Sequence, residues 1–191
     1  MTTFRKISLT VLIAGLVAGV AGFGAYSGFS ATTSNTGNSF ASGTVAIGDN
    51  DGGSVALYTQ ANNEPGDSVV SCIRVTYSGS LASSVKLHVS SGITNGAEFN
   101  LKVERGTQST GAFPACGDFA ATSTAYDAAL GSFPTTYAAG PDGKAAGAAW
   151  ATNDIVAYRF TITQNDDATA NAHTTAKSSG SHDFTWEARN N

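Results

Sequence analysis

Four stretches of this chain alternate apolar and polar residues one by one, and a period of two leaves little room for anything but half-buried β-strands. Val85, Leu87 and Val89 alternate with Lys86, His88 and Ser90. Phe99, Leu101 and Val103 alternate with Asn100, Lys102 and Glu104. Val156, Tyr158, Phe160 and Ile162 alternate with Ala157, Arg159, Thr161 and Thr163, and Phe184, Trp186 and Ala188 with Asp183, Thr185 and Glu187. Such strands bury one row and wet the other, as antiparallel sheets do when packed face to face. A longer strand is expected at 68–77, after the turn Glu64-Pro65-Gly66-Asp67, with Ile73, Val75 and Tyr77 inward. Shorter strands are expected at 44–47 and 54–59. Seven strands separated by turn signals predict an all-β fold, an antiparallel β-sandwich of jelly-roll or Greek-key type.

Residues 106–153 do not share this alternation. Phe113, Phe119, Tyr126, Phe133, Tyr137 and Trp150 lie there in Ala/Gly/Ser/Thr-rich sequence. The stretch is too long for a simple loop, so it is expected to be an excursion laying aromatics over the sandwich, with a short helix near Thr124–Leu130. Cys72 and Cys116 are the only cysteines. Without a C-x-x-C spacing they predict a disulfide rather than a metal or redox pair, tethering the excursion and closing a loop worth roughly 4 kcal/mol on the chain-entropy model. Cys72 has the opposite parity from Ile73, so it should face away from the main core.

The amino terminus reads as a signal peptide. Arg5 and Lys6 form a positive start, Ile7–Val20 a charge-free apolar run, and small residues follow to Gly28. Small residues at −1 and −3 fit cleavage after Ala21 or after Gly24. Apolar character extends to Tyr26, close to the roughly 20 residues that span a bilayer, but Gly15, Gly19, Gly22 and Gly24 make a poor permanent membrane helix. One domain, 29–191, is expected after removal of 1–28. It carries eight Lys+Arg against fourteen Asp+Glu, a net charge of −6. A sparsely charged, acidic surface argues against nucleic acid or anionic lipid as partner, leaving no membrane contact after cleavage.

The residues offer little catalytic chemistry. A zinc protease needs imidazoles and a carboxylate converging on one metal, yet no H-E-x-x-H or H-x-x-x-H occurs among His88, His173 and His182. His182 and Asp183 could join His173 only if the 173–182 hairpin folds back. No G-x-S-x-G elbow is present for a serine nucleophile. No catalytic residue and no cofactor is therefore expected. Calcium suits the sequence better, with Asp49 and Asp51 in Gly48-Asp49-Asn50-Asp51-Gly52-Gly53 and Asp166 and Asp167 in a second acidic turn as candidate ligands. Both turns are simpler as hairpin loops. By contrast, residues 29–47 contain no charge, and Phe29, Phe40, Val45 and Ile47 offer apolar anchors. An uncharged arm spanning 29–43 suits strand addition to an open sheet edge; a flexible exported terminus explains it equally well.

These segments together resemble the TasA–camelysin family of exported bacterial proteins. The resemblance runs from the leader and Phe29-Ser30 through Asn38-x-Phe40-x-x-Gly43-Thr44-Val45, Pro65-Gly66-Asp67 and Cys72-Ile73-Arg74-Val75-Thr76-Tyr77. It closes with Tyr158-Arg159-Phe160-Thr161 and Phe184-Thr185-Trp186-Glu187-Ala188, and the two ends look closest to forms from high-GC Gram-positive bacteria. It implies cleavage after Gly28 by a dedicated signal peptidase, a jelly-roll fold, and a secreted or cell-surface location. It also implies assembly into biofilm-matrix fibres in which the N-terminal segment of one subunit completes the sheet of the next. Partners would be the chain itself or related matrix proteins. Other members are labelled metalloproteases. The cysteine pair, the excursion and Thr44-Val45-Ala46-Ile47 depart from the fibre-forming type. The resulting expectation is a secreted structural protein, a fibre subunit or accessory, with a camelysin-like metallo-endopeptidase or a monomeric binding module as alternatives.

Overall fold

The computed structural model of the chain describes residues 10–12, 41–52, 55–90, 92–165 and 177–190. The expected leader (apart from 10–12), Phe29, Phe40, Asp166, Asp167 and His173 lie outside them. The strands are β1 (Ile47–Asp49), β2 (Ser68–Tyr77), β3 (Ser83–Val89), β4 (Phe99–Thr107), β5 (Ala120–Ala129), β6 (Ile155–Gln164) and β7 (Phe184–Asn190). All pairings are antiparallel: a five-stranded sheet in the order β1-β2-β6-β4-β5, and the pair β3-β7. The β2–β3, β3–β4 and β6–β7 connections cross between the sheets, as sandwich topologies require. The four alternating stretches lie on β3, β4, β6 and β7, and the Val/Ile-rich run at 68–77 is β2.

The apolar rows meet between the sheets. Ile73, Val75 and Tyr77 from β2, Leu101 and Val103 from β4, and Tyr158, Phe160 and Ile162 from β6 form one wall of the core. Val85, Leu87 and Val89 from β3 form the other, with Phe184 and Trp186 from β7 beside them. The Phe160 ring lies 4.8 Å from Phe184 and 5.9 Å from Trp186, the edge-to-face and tilted distances that aromatic quadrupoles favour.

Three expectations are corrected. The strand expected at 44–47 is Ile47–Asp49 instead, because the backbone of residues 44–46 meets that of 78–81 only through Thr44 O and Ala46 O. Residues 55–59 form no strand; Leu57 and Tyr58 pack on the core from an irregular segment. The helix expected near Thr124–Leu130 is instead the second half of β5, closed by a 3-10 turn at Leu130–Ser132. Register shifts opposite Val103/Glu104 and Arg105/Gly106 insert extra residues into β5. Each such bulge resets side-chain parity, so the strand shows no period of two in its sequence.

The remainder of the excursion is also structural. Residues 134–150 run along the outer edge of β3 as an irregular strip. Val89 N–H donates to Pro134 O at 2.9 Å and Leu87 N–H to Pro141 O at 3.1 Å, while Gly143 N–H donates to Val85 O at 2.7 Å. Ser83 and Trp150 exchange both backbone bonds. Arg105 turns inward beneath the strip and donates from Nε to Asp142 O at 2.8 Å; the Tyr158 hydroxyl donates to Gly143 O at 2.6 Å. The loop 108–119 crosses the outer face of the large sheet instead. There Cys116 is bonded to Cys72, which faces away from the core and is 1% exposed.

Candidate functional site: an open strand edge beside β7

Among the described residues the smaller sheet is finished on one side only. Ser90 N–H donates to Asp183 O, so the odd-numbered residues of β7 direct their backbone groups at β3. The even-numbered ones, Phe184, Trp186 and Ala188, therefore direct theirs the other way. Among the described residues no strand lies on that side. The side chains agree: Val85, Leu87 and Val89 on β3 are 3%, 1% and 0% exposed, whereas Phe184, Trp186 and Ala188 are only partly buried. A groove of about 500 Å³ lies there, with Leu57, Ile73, Phe184 and Trp186 as apolar lining and Asp49, Asp51 and Asp183 at its polar margin.

Tyr58 and His182 close one end by a hydrogen bond between hydroxyl and Nε2. His182 Nδ1 sits 3.1 Å from Gly180 O. A carbonyl only accepts, so Nδ1 carries the proton and, in the neutral ring, Nε2 accepts from the phenol. Burial pushes the Tyr58 phenol well above its ordinary pKa, which keeps it a donor at neutral pH. Burial, followed by the hydrogen bond and charge of Asp51, likewise raises Asp49.

The other edges are occupied or distorted. The strip 134–150 covers β3, two bulges twist β5 at the far end of the large sheet, and β1 covers the end of β2. An extended segment laid along β7 would meet backbone groups that no described strand engages on one side and apolar side chains beneath, which are the two requirements of strand addition.

Residues 2–107, from near the amino terminus through β4, match the camelysin metallo-endopeptidase family. The chain belongs to that family. No curated protein matches it.

A camelysin described as a metallo-endopeptidase implies a metal, so the donor set is decisive. His88 Nε2 pairs with Glu187 at 3.2 Å on the outer face of β3-β7, and His182 is engaged by Tyr58 and Gly180. Among the described residues no three His, Cys, Asp or Glu side chains are grouped to hold a metal ion. They do not fit the group, and no metal-dependent step is derived from them. Of the candidate calcium ligands, Asp49 Oδ1 accepts from Asp51 N–H at 3.1 Å, and between them Asn50 Oδ1 accepts from Arg74 N–H at 2.7 Å. This acidic turn thus caps the backbone of β2. Of the assembly residues, Val45 is exposed, and Ile47 pairs with Tyr77 in the chain's own sheet. Thr44 O and Ala46 O accept from Leu81, Ser78 and Gly79 of the same chain. The β7 edge was hidden in the sequence: its alternation marked Phe184 and Trp186 as inward, but nothing in a local pattern reveals a missing neighbour.

Proposed function

We propose that this camelysin-family protein is exported through its leader, cleaved before Phe29, and acts structurally by strand addition. It is a subunit or accessory of an extracellular or cell-surface fibre. The observation that supports this reading is the edge of β7, which no described strand pairs with, and its half-buried aromatic row. The occupant is the N-terminal arm of a second copy. Residues 29–43 carry no charge, so they enter an apolar groove without the cost of burying an ion, and Phe29 and Phe40 supply anchors. Residues 44–49 are paired with their own chain, so Val45 and Ile47 set where the donor segment ends rather than taking part in it.

Electron microscopy of the purified chain at neutral pH, disulfide intact, tests this. Regular fibres are expected, and they should disappear both on deletion of residues 29–43 and in Ala188→Pro. The Ala188 N–H points to the open side, so proline there removes a donor for the incoming strand while sparing the β3 ladder. Fibres that survive both changes, or a chain that never assembles, would overturn the proposal.

A further inference from the structure

The edge of β2 is closed by a device of its own. Gln164 N–H donates to Asp67 O, and Tyr77 N–H to Asp154 O. Odd-numbered residues of β2 therefore face β6, and even-numbered ones face outward. Going along that outward row, Thr76 pairs with Gly48 in β1, Arg74 N–H is taken by Asn50 Oδ1, and Cys72 N–H donates to Pro114 O at 2.9 Å. Beyond Cys72 the edge continues through Val70, which is 49% exposed. The loop 108–119 thus supplies the plug in the middle of the edge.

That loop is braced mainly against itself. Asp118 Oδ2 accepts from the N–H and hydroxyl of Ser109 at 2.8 and 2.9 Å, and from those of Thr110 at 2.7 and 3.0 Å. Gln108 Nε2 donates to Ala115 O at 2.6 Å. Its attachments to β2 are the Cys72–Cys116 bond, the Cys72–Pro114 hydrogen bond, and Arg74 Nη1 to Ser109 O at 3.2 Å. Only the first is covalent.

We propose that the Cys72–Cys116 disulfide latches a guard over a second strand-accepting edge, and that a dithiol reductant releases it so that β2 pairs with β2 of a second copy. The reductant's thiolate attacks Sγ of Cys116, the less buried of the two residues. The S–S bond breaks, and Cys72 leaves as a thiolate that takes up a proton. The second thiol of the reductant then closes on the mixed disulfide, leaving the reductant oxidised and the protein with two thiols. The freed edge, Ser68–Ile73, carries no charge. Antiparallel pairing about a two-fold axis at Ser71 sets Val70 against Cys72 and leaves Arg74, whose N–H Asn50 holds, outside the paired stretch, so no like charges oppose each other.

The test compares the purified chain, oxidised and after dithiothreitol, by NMR-detected amide exchange and light scattering. To isolate this edge from the β7 edge, the Ala188→Pro background is used. The oxidised chain is expected to be monomeric with a protected Cys72 amide. Reduction should speed exchange at Cys72 at least tenfold in dilute solution, keep Ser71 and Ile73 markedly slower than Cys72, and give dimers as concentration rises. Val70→Lys, at an exposed position, should retain the faster exchange but lose the dimer, because two lysines then flank the axis. An unchanged Cys72 amide would overturn the proposal. So would one common rate for even- and odd-numbered amides, which would make the disulfide a general staple. Faster exchange without dimers would overturn the assignment of the second copy.

Discussion

Replacing Phe160 by alanine tests whether the two sheets share a core. The ring is 1% exposed and lies against Phe184 and Trp186 across the intersheet space. Removing it forfeits about 2 kcal/mol of transfer free energy. If a void of roughly 100 Å³ remained, the cavity would add about 2.4 kcal/mol at ~24 cal/mol per Å³. Partial collapse of neighbours trims the sum, so a loss of about 4 kcal/mol is expected, within the range seen for buried aromatics. For a domain of this size that lowers Tm by roughly 8–16 °C. Urea titration of the oxidised chain is the assay, with the midpoint moving and the slope unchanged if unfolding stays two-state. Val70→Ala, at a position 49% exposed on the outer face, is the control and should cost under about 0.5 kcal/mol. A loss below about 1.5 kcal/mol for Phe160→Ala would refute the packing of β7 over β6, and with it the groove beside β7.

Two further substitutions probe the polar groups that hold the sheets. Burial alone would raise the pKa of Glu104, but hydrogen bonds and charge from Arg159 and Lys102, at 2.7 and 3.2 Å, outweigh it and hold the carboxyl below its ordinary value. A carboxylate depressed in this way stabilises the fold above its unfolded pKa and loses that contribution as pH falls through the folded one. Glu104→Gln should therefore be less stable by about 1–2 kcal/mol at pH 7, since its partners are partly exposed. The two chains should converge as pH drops below the ordinary 4.5, which urea midpoints at a series of pH values would read. Tyr77 is fully buried, and its hydroxyl bonds Leu81 O and the Ser83 hydroxyl. Tyr77→Phe leaves both without that partner and should cost about 1–2 kcal/mol by the same titration.

How far the fold could be read from sequence depended on whether each strand kept its parity. β3, β4, β6 and β7 each face core on one side and solvent or a polar cover on the other, so the period of two survives in their residues. Cys72 was placed on the outer face by the same parity, and it lies there bonded to Cys116. β5 lost its pattern to two bulges, and Ala, Ser and Thr carry too little contrast in hydrophobicity to restore it. The strip 134–150 pairs with β3 at uneven intervals through Pro134, Pro141, Gly143 and Trp150, which no periodic template can anticipate. The candidate site was legible only as its floor. Phe184 and Trp186 announced an inward row, but an edge is defined by what lies beside it, and strand order is set by contacts far apart in sequence.

The strip along β3 also determines where this protein can tolerate change. Its attachment is made largely by main-chain atoms, helped by the Tyr137 hydroxyl on Ser84 O, the Asp142–Lys86 and Lys144–Asp154 ion pairs and the buried Trp150, so its small side chains contribute little to its position and its Ala/Gly-rich composition follows. Mutational drift should run freely at its alanines and threonines, be felt mildly at Tyr137, Asp142 and Lys144, and be checked sharply at Gly140, Gly143 and Trp150. At Gly140 a Cβ would fall 2.3 Å from the Leu87 carbonyl oxygen, and at Gly143 one would fall 3.0 Å from the Val85 oxygen and from the Trp150 ring. Trp150 itself is fully buried. A saturation library over 134–150 should therefore show sharp dips at Gly140, Gly143 and Trp150, shallow ones at Tyr137, Asp142 and Lys144, and a flat landscape at the alanines and threonines. Foreign peptides inserted between Gly143 and Trp150 should be carried without loss of the sandwich.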